Sequence, residues 1–241
     1  MRFLDISYEE PEKNLALDEV ILESVESERV QDTLRLWESP VPFVVIGSGQ
    51  RYRRVVNHFN CLRDKIPILR RCSAGGAVVQ GKGSLNYALA LRYSSYPEVS
   101  DLQESYAFIL ERLVGVFAQA GVMAQRAGIS DLVVGGRKVS GNAQRRKRFA
   151  CLHHGTLVYE VNHEGMIRYL LEPDERPEYR GKRTHTEFVG TLPVPVDSLC
   201  KLVCKAFGSG DAPAAILTEE TQNVEELVRT KYSQNDWTFR R

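Results

Sequence analysis

The sequence lacks a paired-cysteine motif, a long apolar run and a basic leader. Its five cysteines are an odd, scattered set without a CxxC pair, so neither a disulfide framework nor a zinc site is expected. No apolar run approaches the roughly 18 residues that a membrane span needs. The acidic start MRFLDISYEEPEKN does not have the features of a secretory signal. We therefore expect a soluble protein of the reducing cytoplasm, with no membrane partner.

The sequence also lacks an excess of either charge. Its 32 basic and 31 acidic residues give a formal net charge of +1, so no overall field attracts nucleic acid, which is not an expected partner. The composition, 43% hydrophobic and 26% charged, is that of an ordinary globular protein. Because there is no internal repeat, low-complexity tract or long linker, we predict one domain over residues 1–241.

Hydrophobic periodicity predicts several helices. The segment Asn14–Glu28 has apolar residues near helical spacing, and Asn14 is predicted to be its N-cap. The longest periodic stretch, 101–121, ends at Gly121, a residue type that commonly terminates helices. Three more helices are predicted over 164–172, 197–208 and 218–232.

Short segments rich in β-branched or aromatic residues predict strands. They cover 33–38, 42–47, 66–71 and 151–161, and residues 131–141 form two strands across a Gly135-Gly136 turn. The polar stretch 173–187 is predicted to be irregular because prolines at 173 and 177 interrupt helices. These elements together predict an α+β fold, a mixed β-sheet with flanking helices.

The stretch RRCSAGGAVVQ places two arginines before a turn of small residues. Glycine allows positive φ and close approach to a ligand, and consecutive amides can cradle an anion. The spacing is neither that of a Walker loop nor the GxGxxG of a dinucleotide fold, and such a turn alone is more typical of a tight connection between strands. Since side chains alternate along a strand, one arginine should face the turn, and we predict that it is Arg71.

Two later motifs carry further polar groups. In GGRKVSGNAQ, Lys138 leaves a glycine turn among small residues, a placement that suits an oxyanion formed during acyl or phosphoryl transfer, although a solvated lysine is the alternative. In CLHHGTLVYEV, His153 and His154 should point to opposite faces of a strand, so at most one faces a pocket. Without a third ligand we assign no metal site.

RRCSAGGAVVQGKGSLNYAL, GRKVSGNAQ and HHGTLVYEV together resemble the signature of the lipoate-protein ligase and octanoyltransferase family, relatives of biotin-protein ligases. The resemblance extends from NLALDEVIL to KYSQNDWTF and covers almost the whole chain. It implies a biotin/lipoate ligase-type catalytic domain in which the glycine turn and the lysine close over an acyl chain and a nucleotide.

The activity implied by this resemblance is that of an ATP-dependent lipoate-protein ligase. Such ligases use ATP and Mg²⁺ to convert lipoate or octanoate into an acyl-AMP. They then pass the acyl group to a lysine of a lipoyl domain, which would belong to a 2-oxoacid dehydrogenase complex or to the glycine cleavage H protein. Because some ligases continue into an accessory C-terminal domain that we do not expect here, a separate chain is a further possible partner.

The resemblance assigns roles by position. Lys138 would be catalytic and would contact both the acyl carbonyl and the α-phosphate. The other ligand-binding positions would be Arg71, Ser73, Gly75, Gly76, Ala77, Val78, Val79, Asn86, Gly141, Ala143 and His154. The chain departs from the family pattern at Ala74, which replaces a glycine, and at Gln80, Gly81 and Ser84, where His-Asp and Gly-Asn pairs are usual.

Two alternative functions stay open. One is transfer from an octanoyl carrier protein through a cysteine thioester. The segments RAGISDLVV and EGMIRYLLEPD lack the cysteine of such members, which favours the ligase, but Cys72 and Cys151 lie inside the motifs as candidates. The other is a non-catalytic acyl- or nucleotide-binding relative. It is suggested by the basic run at 145–148, which we place beside Lys138 as a docking loop or, more simply, a solvated loop.

Overall fold

The computed structural model describes residues 1–173, 176–210 and 212–241, and within these ranges the chain forms ten strands and eight α-helices. The strands are β1 (Arg2–Asp5), β2 (Thr33–Trp37), β3 (Phe43–Ile46), β4 (Ile68–Arg70), β5 (Val78–Gln80), β6 (Ser84–Arg92), β7 (Ala124–Ala127), β8 (Asp131–Val134), β9 (Arg137–Arg146) and β10 (Ala150–Val158). The helices are α1 (Pro11–Glu26), α2 (His58–Arg63), α3 (Leu102–Gln119), α4 (His163–Tyr169), α5 (His185–Phe188), α6 (Val196–Phe207), α7 (Thr218–Leu227) and α8 (Asn235–Thr238).

Seven strands form the larger sheet, in the order β1-β2-β6-β10-β9-β8-β7. Strands β1 and β2 are parallel, and the other neighbours are antiparallel. Strand β6, between β2 and β10, is mostly apolar on both faces. Its Leu85, Tyr87 and Leu89 share a core with α3 and α6, whereas Ala88 and Ala90 share a core with α1. The predicted mixed sheet with flanking helices is confirmed.

The smaller sheet has the order β4-β3-β5, with β3 parallel to β4 and antiparallel to β5. Its Phe43, Val45 and Leu69 belong to the same core as α1. Helix α1 is therefore packed against both sheets, and the turn after Arg71 connects β4 to β5 beside this shared core. No helix in the described ranges is long and apolar enough to cross a membrane.

The first helix begins four residues earlier than predicted. Its N-cap is Glu10, and Pro11 occupies the first helical position, where the missing N–H of proline costs nothing. Asn14, predicted as the cap, is buried inside the helix. Its amide accepts from the Tyr8 N–H at 3.0 Å and donates to the Tyr8 carbonyl at 2.8 Å. The prediction was wrong because this polar side chain serves a tertiary contact with the preceding loop.

Two other segments differ from expectation. The stretch 173–187 is not wholly irregular, because it contains a 3₁₀ turn at Glu178–Arg180 and the start of α5; Asp174 and Glu175 lie outside the described residues. The helix predicted over 218–232 is divided in the structure: α7 ends at Leu227, and a π-helical turn follows over Val228–Tyr232. The single domain over residues 1–241 stays a prediction.

A buried arginine on β2 ties α1 to the chain that precedes it. Arg35 is fully buried, and its Nη1 donates to Asp18 Oδ1 at 2.6 Å and to the Asn14 carbonyl at 2.7 Å. Its Nε and Nη2 both donate to the Ile6 carbonyl, at 3.1 and 2.9 Å. A buried carboxylate such as that of Asp18 is tolerated only with such a partner.

We expect Arg35→Met to lower the free energy of unfolding by about 3–5 kcal/mol, because the buried Asp18 carboxylate then loses its cation. Urea denaturation followed by circular dichroism measures the change. Arg229 is the control: its side chain is 72% exposed and pairs with Glu226 at the surface, so Arg229→Met should cost less than about 1 kcal/mol. Equal stability of the two variants would contradict the expected role of Arg35.

Candidate active site

Two adjoining cavities are lined by strands of both sheets. The smaller has a volume of about 160 Å³ and is also lined by α1. The larger has a volume of about 580 Å³ and is also lined by Gln50, Val55 and residues between 166 and 189. Gly76, Ala77, Val78, Lys138 and Gly141 line both cavities. The small-residue turn and Lys138 therefore lie where the cavities meet.

An irregularity in β9 brings Lys138 to this boundary. Leu132 pairs with Ser140 and Val133 pairs with Lys138, so Val139 has no partner on β8. Such a one-residue bulge re-aims side chains and places Lys138 on the same face as Gly141. A Cβ built on Gly141 would lie 2.7 Å from Lys138 Nζ, so the missing side chain makes room for the ammonium group.

Asp131 lies opposite Gly141 on β8 and completes the group. Its Oδ1 is 2.9 Å from Lys138 Nζ, and its Oδ2 accepts from the Tyr179 hydroxyl at 2.5 Å. Burial and the charge of Asp131 both raise the pKa of Tyr179, which therefore remains a donor. Since the Lys138 side chain is 29% exposed, its ammonium can still reach a ligand while paired with Asp131.

Arg71 faces the smaller cavity, as predicted, and the turn is folded around its guanidinium. Its Nε and Nη2 donate to the Ala74 carbonyl at 3.1 and 2.6 Å. Gly75 has a φ of +93°, and a Cβ there would lie 2.7 Å from Arg71 Nη2. No carboxylate within the described ranges forms an ion pair with Arg71. Burial lowers its pKa to about 10, so it stays cationic at neutral pH.

Arg70 points the other way and connects the loop at 47–50 to the C-terminal helix α8. It is fully buried and donates to the carbonyls of Gly47, Gln50 and Thr238 at 2.8, 2.8 and 2.9 Å. A Cβ on Gly47 would lie 2.1 Å from the Gly75 carbonyl oxygen. Gly47 is therefore needed for the close approach of this loop to the turn.

A line of hydrogen bonds connects Arg71 to α1 through His154. Arg71 Nε donates to Ser73 Oγ at 3.0 Å, and Ser73 Oγ lies 2.6 Å from His154 Nε2. His154 Nδ1 is 3.1 Å from Asp18 Oδ2. Since the Asp18 carboxylate only accepts, the Nδ1 proton of His154 is directed at Asp18, and in the neutral ring with this tautomer Nε2 accepts from the Ser73 hydroxyl.

This order of groups is that of the serine hydrolase triad, but the placement of the serine is different. Ser73 is 1% exposed and lines neither cavity. Its oxygen is held by Arg71 on one side and His154 on the other. A nucleophile needs access to the carbonyl that it attacks, so Ser73 acts as a link that orients Arg71 and His154.

His153 points to the opposite face of β10, as the alternation predicted. It is fully buried, with its Nδ1 3.0 Å from Gln144 Nε2 and its Nε2 3.1 Å from the Tyr87 hydroxyl. Burial lowers the pKa of His153 to about 3. It is therefore a neutral core residue. Of the two adjacent histidines, His154 is the one that lines a cavity.

The positions assigned from the resemblance lie close together. Of these assigned positions, Gly76, Ala77, Val78, Lys138 and Gly141 line both cavities. The smaller cavity alone is lined by the assigned positions Arg71, Gly75, Asn86, Ala143 and His154, and the larger alone by Val79. Gln80, where a histidine is usual, is joined to Asn86: Gln80 Nε2 donates to Asn86 Oδ1 at 2.7 Å. Thr156 donates to the same oxygen at 3.1 Å, so an uncharged amide cluster forms this wall.

Sequence reasoning missed Asp18 and Asp131. Asp131 lies in the hairpin DLVVGGRKVSG, and pairing its two strands across the glycines would have brought it near Lys138. Asp18 lies in NLALDEVIL on the same helical face as Leu15, where a charged residue among apolar positions was the available signal. Both carboxylates were missed because these segments were interpreted only as a helix and as strands.

The two candidate nucleophilic cysteines lie outside the cavities. Cys72 is buried, and burial raises its pKa to about 12; Cys151 is fully buried, and burial raises its pKa to about 11. None of the five cysteines, all within the described ranges, lines either cavity. A thiol held neutral and away from the ligand space is a poor nucleophile.

The basic run at 145–148 is not beside Lys138, and that expectation was wrong. It lies at the β9–β10 connection, whereas Lys138 is at the other end of β9, about 25 Å away at roughly 3.3 Å per residue. Arg146 Nη2 donates to the Val99 carbonyl at 2.8 Å, and Lys147 Nζ is 2.6 Å from Glu23 Oε1. Two of the four charges are therefore used within the fold.

Comparison with known proteins identifies the family. The model of the lipoyl protein ligase A/B catalytic domain matches residues 10–208. The chain belongs to this family. Its relatives include the octanoyltransferase LipM of Brevibacillus brevis, 25% identical over 96% of this chain and 95% of that protein. The lipoate-protein ligase LplJ of Bacillus subtilis is 26% identical over 100% of this chain and 74% of the relative.

Solved structures share the fold of this lipoyl ligase-family chain. A bi-partite lipoate protein ligase from Thermoplasma acidophilum, described with its E2 lipoyl domain, gives a TM-score of 0.85 at 22% identity, covering 99% of this chain and 95% of that one. A lipoate-protein ligase A bound with ATP gives 0.83 at 21% identity, covering 99% and 98%. The predicted catalytic-domain fold is confirmed, and the protein is a member of an enzyme family that includes both lipoate ligases and octanoyltransferases.

His153 should make this lipoyl ligase-family fold sensitive to acid. Its pKa is about 6.5 when unfolded and about 3 in the fold, so between these values the unfolded chain binds more protons and stability falls as pH is lowered, by up to about 1.4 kcal/mol per pH unit. We expect His153→Gln to unfold with a shallower pH dependence than the native protein. Urea denaturation at pH 7, 6, 5 and 4 measures the slopes.

The exposed His58 provides the control, since His58→Gln removes a ring that is not enclosed by the core. That variant should keep the native slope below pH 6.5. An unchanged slope in His153→Gln would show that the buried ring is not the group responsible.

Proposed function

We propose that the protein is an ATP-dependent lipoate-protein ligase, which activates lipoate or octanoate as an acyl-adenylate and transfers the acyl group to a lysine of a lipoyl domain. The observation that carries this proposal is the position of Lys138. It stands at the boundary of two cavities, paired with Asp131 and close to the glycine turn, while no cysteine lines either cavity.

The smaller cavity suits the acyl chain. Leu15, Trp37, Val45 and Ala143 contribute to its lining, and burying an aliphatic chain against such residues is worth roughly 0.8 kcal/mol per methylene. Arg71 lines this cavity and not the larger one. Its cation is thus placed to meet the acyl carboxylate and, after activation, the phosphate attached to it.

The larger cavity suits the nucleotide, and the first step occurs where the two cavities meet. A carboxylate oxygen of the acid attacks the α-phosphorus of ATP, the bond to the bridging oxygen of pyrophosphate breaks, and an acyl-phosphate anhydride forms. Arg71 and Lys138 stabilise the negative charge, as preorganised cations do in phosphoryl and acyl transfer. The exposed amides of Gly76 and Ala77 supply further donors beside them.

The described residues contain no group of three side chains able to hold a metal ion. Mg²⁺ usually relies on substrate phosphates with one or two carboxylates, and Asp131, which lines both cavities, is the carboxylate available for this. When bound, the ion would neutralise phosphate charge.

In the second step the neutral amine of the acceptor lysine attacks the acyl carbonyl. Lys138 stabilises the oxyanion that forms, the carbonyl carbon–oxygen bond to AMP breaks, and an amide results. The attacking nitrogen must also lose a proton. Asp131, whose carboxylate is 2.9 Å from Lys138 Nζ, is positioned at the junction to receive it.

A second candidate is octanoyl transfer from a carrier protein. The octanoyltransferase relatives favour it, because the chain matches them over 95–98% of their length. Here the acceptor lysine would displace a thiol directly, since Cys72 and Cys151 are buried away from the cavities. A purely binding relative is less favoured, because it would have no use for the contact between Lys138 and Asp131.

The proposed partners are lipoyl domains. The solved bi-partite ligase from Thermoplasma acidophilum is described with an E2 lipoyl domain, and this chain covers 95% of it. A separate chain that supplies an accessory domain fits the same comparison. Acceptors from 2-oxoacid dehydrogenase complexes and the glycine cleavage H protein both remain within the proposal.

We expect a lipoyl domain incubated with the protein, lipoate and ATP to gain one lipoyl group, and we expect the reaction to release pyrophosphate from ATP. Intact mass spectrometry measures the modification, with octanoyl carrier protein as the alternative donor in a parallel reaction. Modification by the carrier alone would replace the first candidate by the second. A Cys72→Ser/Cys151→Ser variant should keep its activity, and loss of activity together with an acyl-cysteine adduct in the native protein would contradict our assignment.

We expect Gly141→Ala to lower the rate of acyl transfer about a hundredfold, because the new methyl group displaces the Lys138 ammonium from its position. Lys138→Ala should lose at least as much in both pyrophosphate release and transfer. The fold should tolerate Gly141→Ala within about 1 kcal/mol, since only the flexible end of a lysine must move.

Gly49→Ala is the matched control, because nothing lies within 4 Å of a Cβ at that position. It should keep full activity. Native pyrophosphate release by Lys138→Ala would rule out the role proposed for this lysine.

A further inference from the structure

We infer that the exposed residues of segment 51–65 form a docking surface for an acidic protein domain, and that its occupant is the domain that carries the acceptor lysine. This inference rests on the proposed function. This 51–65 surface includes the exposed residues Arg51, Arg53, Phe59, Leu62, Arg63 and Lys65.

Charge is concentrated here to a degree that the overall composition conceals. Segment 51–65 contains five basic residues and one acidic residue, a net charge of +4, whereas the whole chain carries +1. The remaining 226 residues therefore carry −3. A local field of this kind attracts a partner of opposite charge and speeds its association by a factor of about 10 to 1,000.

The single acidic residue of the segment does not cancel this charge. Asp64 is held by Arg63, 3.2 Å from its Oδ1, and by Arg168 of α4 through two hydrogen bonds. These guanidinium groups hold the pKa of Asp64 well below its usual range. Since two arginines share one carboxylate, the trio still contributes one positive charge to the surface.

Two large apolar side chains lie among these cations. Phe59 and Leu62 on α2 are 70% and 71% exposed, and the guanidinium of Arg63 lies 5.9 Å from the centre of the Phe59 ring. Exposed aromatic and aliphatic groups bordered by arginines are typical of protein interfaces. A purely electrostatic site for a phosphate backbone would not need the two apolar groups, so the composition favours a protein partner.

The surface is continuous with the wall of the larger cavity. Gln50 and Val55 line that cavity on either side of Arg51 and Arg53. The chain then runs along the other wall, where Leu171 N–H donates to the Val55 carbonyl at 3.0 Å. A domain bound on the 51–65 surface would therefore lie at the cavity from which the acceptor lysine reaches Lys138.

The experiment compares two charge reversals of equal size. Arg51→Glu/Arg53→Glu changes the surface, and Arg145→Glu/Arg148→Glu makes the same change in net charge at the far end of β9. We expect the first variant to lose at least tenfold in kcat/KM for an acidic lipoyl domain at low salt, mainly through KM, and the loss to shrink at high salt. The control should keep the native value.

Two further measurements separate docking from chemistry. Pyrophosphate release with lipoate and ATP but no acceptor should be native in both variants. Fluorescence anisotropy of a labelled acidic lipoyl domain should show weaker binding to Arg51→Glu/Arg53→Glu and to Phe59→Asn. The binding measurement does not require turnover, so it tests the surface even if the native protein acylates nothing, an outcome that would instead reject the proposed function.

The inference is overturned if both double variants have the same kcat/KM and the same affinity for the lipoyl domain. It is also overturned if Arg51→Glu/Arg53→Glu loses acceptor-independent pyrophosphate release to the same extent, since the residues would then act within the site. A third contrary result concerns other ligands. If Arg51→Glu/Arg53→Glu keeps its affinity for the lipoyl domain and loses binding to a short duplex DNA or to octanoyl carrier protein, the surface belongs to that ligand.

Discussion

The site depends on a buried line of polar groups that runs from Arg35 through Asp18, His154 and Ser73 to Arg71. Each member is needed because burying an unpaired charge is costly. The Asp18 carboxylate contacts both Arg35 and His154. One side chain of α1 therefore fixes the helix against the strand β2 and the cavity-lining face of β10. The turn after Arg71 inherits its geometry from this line, because its carbonyl at Ala74 and its hydroxyl at Ser73 accept from the same guanidinium.

The two cations of the site are not equivalent. Lys138 has a carboxylate partner in Asp131 and retains part of its exposure, whereas Arg71 has backbone and hydroxyl acceptors but no ion-pair partner in the described part of the chain. A buried guanidinium without an anion lowers stability unless a ligand supplies one. In the proposed function, the smaller cavity would take a ligand with an apolar body and an anionic end, and the anionic end would lie near Arg71.

Sequence patterns located the parts of the site that local rules control. Alternation along a strand predicted that only one of Arg70 and Arg71 faces the turn and that His153 and His154 point to opposite faces, and the family resemblance assigned Arg71 and His154 to the site. A regular pairing across Gly135-Gly136 also puts Asp131 and Lys138 on one face, but it pairs Asp131 with Ser140. The bulge at Val139 pairs Asp131 with Gly141 instead, and no local pattern predicted this. The predictions for Asn14 and for the basic run at 145–148 were wrong for a related reason, because tertiary contacts set the roles of these residues. Asn14 contacts Tyr8 and Arg35, and the basic run contacts Val99 and Glu23.

The burial of the cysteines constrains every mechanism open to this chain. Without a thiol in either cavity, the proposed reactions both pass the acyl group from its leaving group to the acceptor lysine in one displacement, whichever donor supplies it. The two donors differ in what they place beside Arg71. An acyl-adenylate carries a phosphate next to the reacting carbonyl and would neutralise this guanidinium, whereas a carrier thioester brings an uncharged sulfur to the same position. The charge of Arg71 would thus be neutralised by the adenylate and left without an anionic partner by the thioester, and this difference supports the proposed ATP-dependent activation in a chain whose relatives include both kinds of enzyme.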